Sequence, residues 1–322
     1  MHTGGEPLRV FTSGLPPIKG NTVLEKRRYF RQHYDHIRRG IICEPRGHAD
    51  MYAAIITPAA DADFDVFFLH NEGYSTMCGH AIIALTKLVI ETGMVRRDGN
   101  ESQVTFNVPA GKVYARALVE NGKVREASFR NVPSFLYLRD QAVDVPRLGR
   151  VPFDVAYGGA FYAFVNAEAL GLSLIADDYS RLIDYGRRIK RAVASNCSIE
   201  HPFEKELSFL YGTIFIGPAQ ESGHHSRNVC VFAEGEVDRS PTGTGVSARA
   251  AIHYAKGELP LNQKITIESI VGSVMTVAAV ETIKFGPHEA IVPEVSGTAS
   301  ITGRNEIYFD PDDPFREGFM LR

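Results

Sequence analysis

Tryptophan is absent from this 322-residue chain, and cysteine occurs four times, as Cys43, Cys78, Cys197 and Cys230. The four show neither a CxxC pair nor Cys/His metal spacing, so neither a zinc module nor a disulfide framework is expected. An excess of one charge is missing too. Lys+Arg 35 against Asp+Glu 38 gives a formal net charge of -3 and a pI near 6.4. That balance excludes an electrostatic footprint for nucleic acid or an anionic membrane. No apolar run approaches the ~20 residues needed to cross a bilayer. The opening His2-Thr3-Gly4-Gly5 has no apolar core, so no signal peptide is expected. Free thiols without pairing then point to a reducing cytoplasm. Nothing in the chain is low-complexity.

What remains is a globular composition, 44% hydrophobic and 23% charged, long enough for two ordinary domains. Its centre is Asn71-Glu72-Gly73-Tyr74-Ser75-Thr76-Met77-Cys78-Gly79-His80. This stretch joins an apolar strand, 64–69, to a helix predicted over 79–92 and closed by Gly93, a natural left-handed cap. That helix is apolar on nearly every face and must be enclosed by other structure. Cys78 falls at its N-terminus, where free N–H groups and the positive dipole end favour a thiolate. The N–H groups of Gly79 and His80 suit a carboxylate. Against this stands the burial tendency of free cysteines, most of which are inert.

The second half repeats the arrangement. Asp238-Arg239-Ser240-Pro241-Thr242-Gly243-Thr244-Gly245 follows the apolar strand 229–233 and opens a helix over 246–255, ended by Gly257. Cys78 and Thr242 are 164 residues apart, and Gly4-Gly5 echoes Gly158-Gly159 at 154. A duplicated unit is expected, with two helix N-termini facing each other across a cleft. Thr242 also suits an ordinary N-cap. Asp238 equally suits a turn carboxylate bonded to its own backbone.

Elsewhere Thr22 and Glu25 form a capping box for a helix running to about Arg39 and ended by Gly40. Its basic residues, Lys26 to Arg28, Arg31, Arg38 and Arg39, read as a solvated face. His48, after Glu44-Pro45-Arg46-Gly47, reads as a turn histidine bonded to backbone. Strands are predicted at 51–56, 104–108, 113–119 and 127–132, and Pro146 and Pro152 suggest a crossover within 137–151. A helix over 178–193 follows, then strands at 207–211, 213–216, 228–233, 265–270, 273–280, 299–302 and 306–309.

Taken together, Met77-Cys78-Gly79-His80, the 238–245 segment, Glu44-Pro45-Arg46-Gly47-His48 and His2-Thr3-Gly4-Gly5-Glu6-Pro7 resemble the proline racemase family. That family includes hydroxyproline epimerases and trans-3-hydroxy-L-proline dehydratases. The resemblance runs through the tail at Asn305–Pro311. It implies an α+β fold of two pseudo-symmetric barrel-like domains, similar to diaminopimelate epimerase, each wrapped around a central helix. The expected division is 1–150 plus 299–322 for the Cys78 domain and 151–298 for the other, with the active site in the cleft between.

The resemblance also implies cofactor-independent chemistry, no metal, and a hydroxyproline-like imino acid as substrate; it leaves a homodimer open. Cys78 and Thr242 are the implied catalytic pair, with Gly79, His80, Asp238, Gly243 and Thr244 binding substrate. Racemases carry a second cysteine where this chain has Thr242, and the dehydratase branch pairs cysteine with threonine. Racemisation needs an acid/base group on each face of the ring, which threonine does not supply. Loss of water from trans-3-hydroxy-L-proline, giving 1-pyrroline-2-carboxylate, is a syn process for which one base suffices. The alternatives are a proline racemase or 4-hydroxyproline 2-epimerase, and a non-catalytic imino-acid-binding protein.

Overall fold

The strands that read as unbroken apolar runs are apolar because both of their faces are covered. Ala53–Pro58 pairs antiparallel with Phe64–Leu69. Ala54, Ile56, Val66 and Phe68 join the main core, whereas Ala53, Ile55, Phe67 and Leu69 join a second cluster with Val23, Phe30, Ile41 and Ile42. The outer cluster belongs to α1 (Val23–His33) and α2 (Asp35–Ile42); the inner one surrounds α3 (Gly79–Glu91). Fully burying a side chain such as Phe30 contributes about 1.5–3 kcal/mol. The computed structural model describes residues 1–96 and 99–321.

The second half has the same layering. Strands Leu210–Gly217 and Ser226–Phe232 carry α4 (Tyr179–Asn196) outside. Gly186 of α4 lies so near the sheet that a Cβ there would sit 2.6 Å from Val231. Inside, α5 (Gly243–Ala255) packs against Phe135–Val145, Gly149–Tyr157, Val274–Phe285 and His288–Gly297.

Pairing order repeats as well. Arg9–Phe11, Ala53–Pro58, Phe64–Leu69, Glu101–Val108, Gly111–Glu120 and Lys123–Arg130 are joined parallel, antiparallel, parallel, antiparallel, antiparallel. Phe161–Asn166, Leu210–Gly217, Ser226–Phe232, Ile265–Glu268, Val274–Phe285 and His288–Gly297 are joined in the same sequence of senses. The central helices open at 79 and 243, and the next strands at 101 and 265, both 164 residues apart. Lys123–Arg130 pairs with His288–Gly297 and fuses the halves into one sheet of 16 strands among the described residues. The fold is α+β and pseudo-symmetric, each half wound around an enclosed helix.

Some expectations are corrected. The capping box at Thr22 is present, but the helix breaks at Tyr34 (φ -133) into α1 and α2. Gly40 lies inside α2 instead of ending it. A Cβ there would meet Phe309 at 2.2 Å, so the C-terminal segment requires that glycine. The basic face is not wholly solvated: Arg27 and Arg38 are buried. Arg27 pairs with Glu206 at 2.8 Å, while Arg38 holds Asp35 and donates to the His70 carbonyl at 2.9 Å. The 137–151 segment is no loose crossover but the hairpin of Phe135–Val145 and Gly149–Tyr157. The 207–216 stretch forms one strand after a short helical turn, Lys205–Leu207. Ala299–Ser300 pairs back onto His2–Thr3, whereas 306–309 forms no strand. Among the described residues, no helix is long and apolar enough to cross a membrane.

Candidate active site

The two central helices meet end to end. An ideal Cβ on Gly79 would lie 2.5 Å from the Gly243 Cα, and one on Gly243 would lie 2.5 Å from the Gly79 Cα. Only hydrogen fits in that gap. The contact sets the N-cap residues, Cys78 and Thr242, beside one junction where free N–H groups of both helices gather. Gly158 and Gly159 complete the enclosure: a Cβ on Gly158 would lie 2.2 Å from the Thr244 carbonyl, and one on Gly159 2.8 Å from Met77. Gly158 and Gly159 occupy the turn between Gly149–Tyr157 and Phe161–Asn166, as Gly4 and Gly5 occupy the turn between His2–Thr3 and Glu6–Pro7. The sequence echo is therefore a pair of turns.

Thr242 sits at the N-cap of α5 but does not cap it. Its backbone is left-handed (φ 70), an outlier for a β-branched residue that costs on the order of 1–3 kcal/mol. Its hydroxyl is buried and without a hydrogen-bond partner. The loop is held at every second residue instead: Ser240 N–H donates to Asp238 Oδ1 at 2.8 Å, and Thr242 N–H to Ser240 Oγ at 3.1 Å. Asp238 thus does what a turn carboxylate does with one oxygen while lying buried beside the thiol. Thr244, in the first turn of α5, shares a 2.7 Å hydrogen bond with the Tyr162 hydroxyl.

Cys78 Sγ lies 3.1 Å from His80 Nδ1. His80 is buried, and burial pushes its pKa down, so the ring is neutral. The favoured thiolate is corrected by the structure. Burial pushes the Cys78 thiol well above the ordinary range, and the charges of Asp238 and Glu6 add to the rise. The Ala81 N–H and the Tyr52 hydroxyl oppose it without winning. A helix N-terminus lowers a thiol pKa by too little to offset complete desolvation beside two carboxyl groups. Alkylation of the free protein by iodoacetamide at Cys78 is therefore expected to be slow at pH 7. It should climb only above the ordinary thiol value of about 8.5. Peptide mass spectrometry across pH checks this; a plateau below pH 8 refutes it.

Several site neighbours were not singled out from sequence. Glu6 is fully buried, and its Oε2 accepts the Arg239 N–H at 2.7 Å. Its pKa is raised well above the usual carboxylate range by burial and then by Asp238. The signal was the His2–Pro7 motif itself, where Glu6 was one residue among six. Thr3 of the same hairpin donates to the His80 carbonyl at 2.8 Å. Tyr52, edge-on to His80 at 5.1 Å between centroids, and Tyr211 were hidden in strands, where aromatics read as core. His48, by contrast, is the turn residue expected; its Nδ1 accepts the Asp50 N–H at 3.2 Å. Arg239 reaches Asp50 at 3.0 Å, tying the Asp238 loop to the first half. Among the described residues, no group of three or more His, Cys, Asp or Glu is placed to hold a metal ion.

Known proteins resemble this chain in both sequence and fold. A family model described as proline racemase matches residues 1–320. A trans-3-hydroxy-L-proline dehydratase of Colwellia psychrerythraea (strain 34H / ATCC BAA-681) is 54% identical over 323 residues, covering 100% of this chain and 91% of the relative. The human protein of the same name is 46% identical over 330 residues, covering 100% and 93%. A crystal structure of a hydroxyproline epimerase from Agrobacterium vitis, with bound trans-4-OH-L-proline, superposes with a TM-score of 0.93. That epimerase is 29% identical, with coverage of 99% and 94%.

Proposed function

The chain belongs to the proline racemase family, and we propose that it removes water from trans-3-hydroxy-L-proline to give 1-pyrroline-2-carboxylate. The observation that carries the reading is the junction of two helix N-termini bearing one thiol and one threonine. In this proposal the free N–H groups at Gly79, His80, Gly243 and Thr244 hold the substrate carboxylate. They stabilise the charge that spreads into it when the α-proton leaves. Asp238, with His80, holds the ring nitrogen. The buried carboxyl groups of Glu6 and Asp238 favour a cationic partner there, and the substrate's ammonium supplies one. Its arrival also brings the positive charge that the resting Cys78 thiol lacks, favouring the thiolate once substrate is bound.

Cys78 then takes the α-proton and the C3–O bond breaks on the same ring face. The enamine tautomerises to the imine. Thr242 fills the place of a second base without serving as one, since an alcohol does not ionise near neutral pH. Cys78 is assigned to the first domain and Asp238 and Thr242 to the second, as in the division 1–150 plus 299–322 and 151–298, but with the boundary set before Phe135, where the hairpin that packs on α5 begins. A substrate screen for water loss, with the imine trapped by an aromatic aldehyde, tests the assignment. Wild-type chain that interconverts L- and D-proline as fast as it dehydrates would sink it.

The pairing of cysteine with threonine gives a sharper test. Thr242→Cys restores a thiol at nearly equal volume, at a helix N-terminus. The variant is expected to gain α-proton exchange or racemisation of proline or 4-hydroxyproline while keeping dehydration. Chiral chromatography and NMR in deuterated buffer compare it with wild type. If dehydration disappears instead, Thr242 takes part in the reaction directly.

A further inference from the structure

Two orphaned donors share one wall of the site, one from each half. His70 follows the strand Phe64–Leu69 and Tyr211 lies in Leu210–Gly217. His70 Nε2 and the Tyr211 hydroxyl are both buried and without a hydrogen-bond partner. Their rings meet edge to face, 5.6 Å between centroids. His70 Nδ1 accepts the Gly73 N–H at 3.3 Å, so the neutral ring carries its proton on Nε2. Burial, with Arg38 and Lys190 nearby, pushes its pKa down to about 3, which keeps it neutral. A phenol and an imidazole N–H buried without acceptors are costly to a fold, and a ligand that completes them is one reason for a native chain to keep such groups.

The wall adjoins the reacting groups. Tyr52 stacks on His70 at 6.1 Å and meets His80 at 5.1 Å, and His80 Nδ1 is 3.1 Å from the Cys78 sulfur. On the other side Tyr211 meets Tyr162 at 5.8 Å, whose hydroxyl bonds Thr244 at 2.7 Å. Outward, His70 and Tyr211 border a cleft of about 1020 Å³ between the halves. An oxygen entering the space between them meets two N–H or O–H donors, with the Tyr52 hydroxyl beside Tyr211. That arrangement favours an oxygen that becomes more negative as the reaction proceeds.

Resting on the dehydratase reading, we propose that His70 and Tyr211 form the subsite of the departing 3-hydroxyl, and that Tyr211 protonates it. The balance closes without a co-reactant. Cys78 removes the α-hydrogen as a proton, and the electrons of that bond form the C2–C3 double bond. The C3–O bond breaks with its electrons on oxygen, and the Tyr211 proton turns it into water. The tyrosinate then recovers a proton from the Cys78 thiol, with Tyr52 beside them. Burial, then the neighbouring Tyr52 and Tyr162, push the Tyr211 phenol well above the ordinary tyrosine range, which keeps it protonated at rest, and hydroxide leaving C3 is a stronger base still.

The test is Tyr211→Phe, assayed in D2O beside wild type. Dehydration kcat is expected to fall by about 10²-fold or more. The inhibition constant of pyrrole-2-carboxylate, a planar mimic without a hydroxyl, should stay within about twofold, less than one hydrogen bond's worth. Recovered substrate should gain deuterium at Cα, because proton removal now reverses more often than C3–O breaks. His70→Gln, which keeps an N–H donor, should retain more activity than His70→Leu. The proposal is overturned if Tyr211→Phe keeps kcat within about threefold of wild type, too little for lost acid catalysis. Loss of kcat without deuterium uptake, or with an equal loss of inhibitor binding, also overturns it, since either assigns Tyr211 to another step or to packing. If Tyr211→Phe does not fold, the His70 pair is read the same way, and equal losses in both variants count against the subsite. Wild type that releases no water from trans-3-hydroxy-L-proline overturns the dehydratase reading itself.

Discussion

Cys78→Ser is expected to fold as wild type does and to lose dehydration by about 10³-fold or more, within the range by which an acid–base group accelerates reactions. The swap keeps shape and burial but replaces the thiol with an alcohol, a far weaker acid whose anion is not populated near neutral pH. The thiol is already disadvantaged. Burial and the carboxyl groups of Asp238 and Glu6 raise its pKa, so substrate binding must supply the field that ionises it. An oxygen in the same place begins several units further away. The variant should still bind pyrrole-2-carboxylate, since the helix N-termini are unchanged; calorimetry separates lost chemistry from lost binding. Substantial turnover by Cys78→Ser would remove Cys78 from the central role.

Gly243→Ala is expected to be nearly as damaging by a different route. Its methyl group would lie 2.5 Å from the Gly79 Cα and 2.9 Å from the Gly79 carbonyl carbon, backbone atoms that cannot swing aside. Overpacking of this kind costs about 1–3 kcal/mol, and relief requires the two helix ends to part. A displacement near 1 Å at a reacting centre is worth about 10²-fold in rate. Thermal melts and turnover, measured beside Gly303→Ala as a control with no close neighbour but Asn305 at 3.9 Å, check both parts. Unchanged activity in Gly243→Ala would show that the head-to-head contact is not needed for catalysis.

The junction itself was legible in the sequence because its signals are local. A helix without a polar face declares that it is enclosed, and glycine after Cys78 and Thr242 marks a backbone brought close to something. The 164-residue repeat then put the two ends together, and strand pairing repeats with it. What stayed hidden depended on distant residues. Arg27 and Arg38 read as solvated because nothing near them in sequence reveals Glu206, or the carbonyl of His70, as the partner. Tyr52 and Tyr211 looked like core aromatics because a strand covered on both faces has no polar side to expose a functional group. The thiolate expectation failed for a related reason: the helix end is written in the sequence, but the desolvation around it is not. Thr242 carried no sign of its left-handed backbone, since that conformation is imposed by its loop.

The segment after residue 300 crosses back over α2. Phe309 fills the space left open by Gly40, and Arg46 and Arg39 pair with Asp313 and Glu317. Phe319 bridges to Glu44, and the Gly318 backbone (φ 77) lies against Arg39. During synthesis, then, the covering of α2 waits until the residues beyond 300 have emerged from the ribosome. The first half is begun first and finished last, and a chain released early would leave the flank of α2 bare to the chaperones and proteases that patrol incomplete proteins.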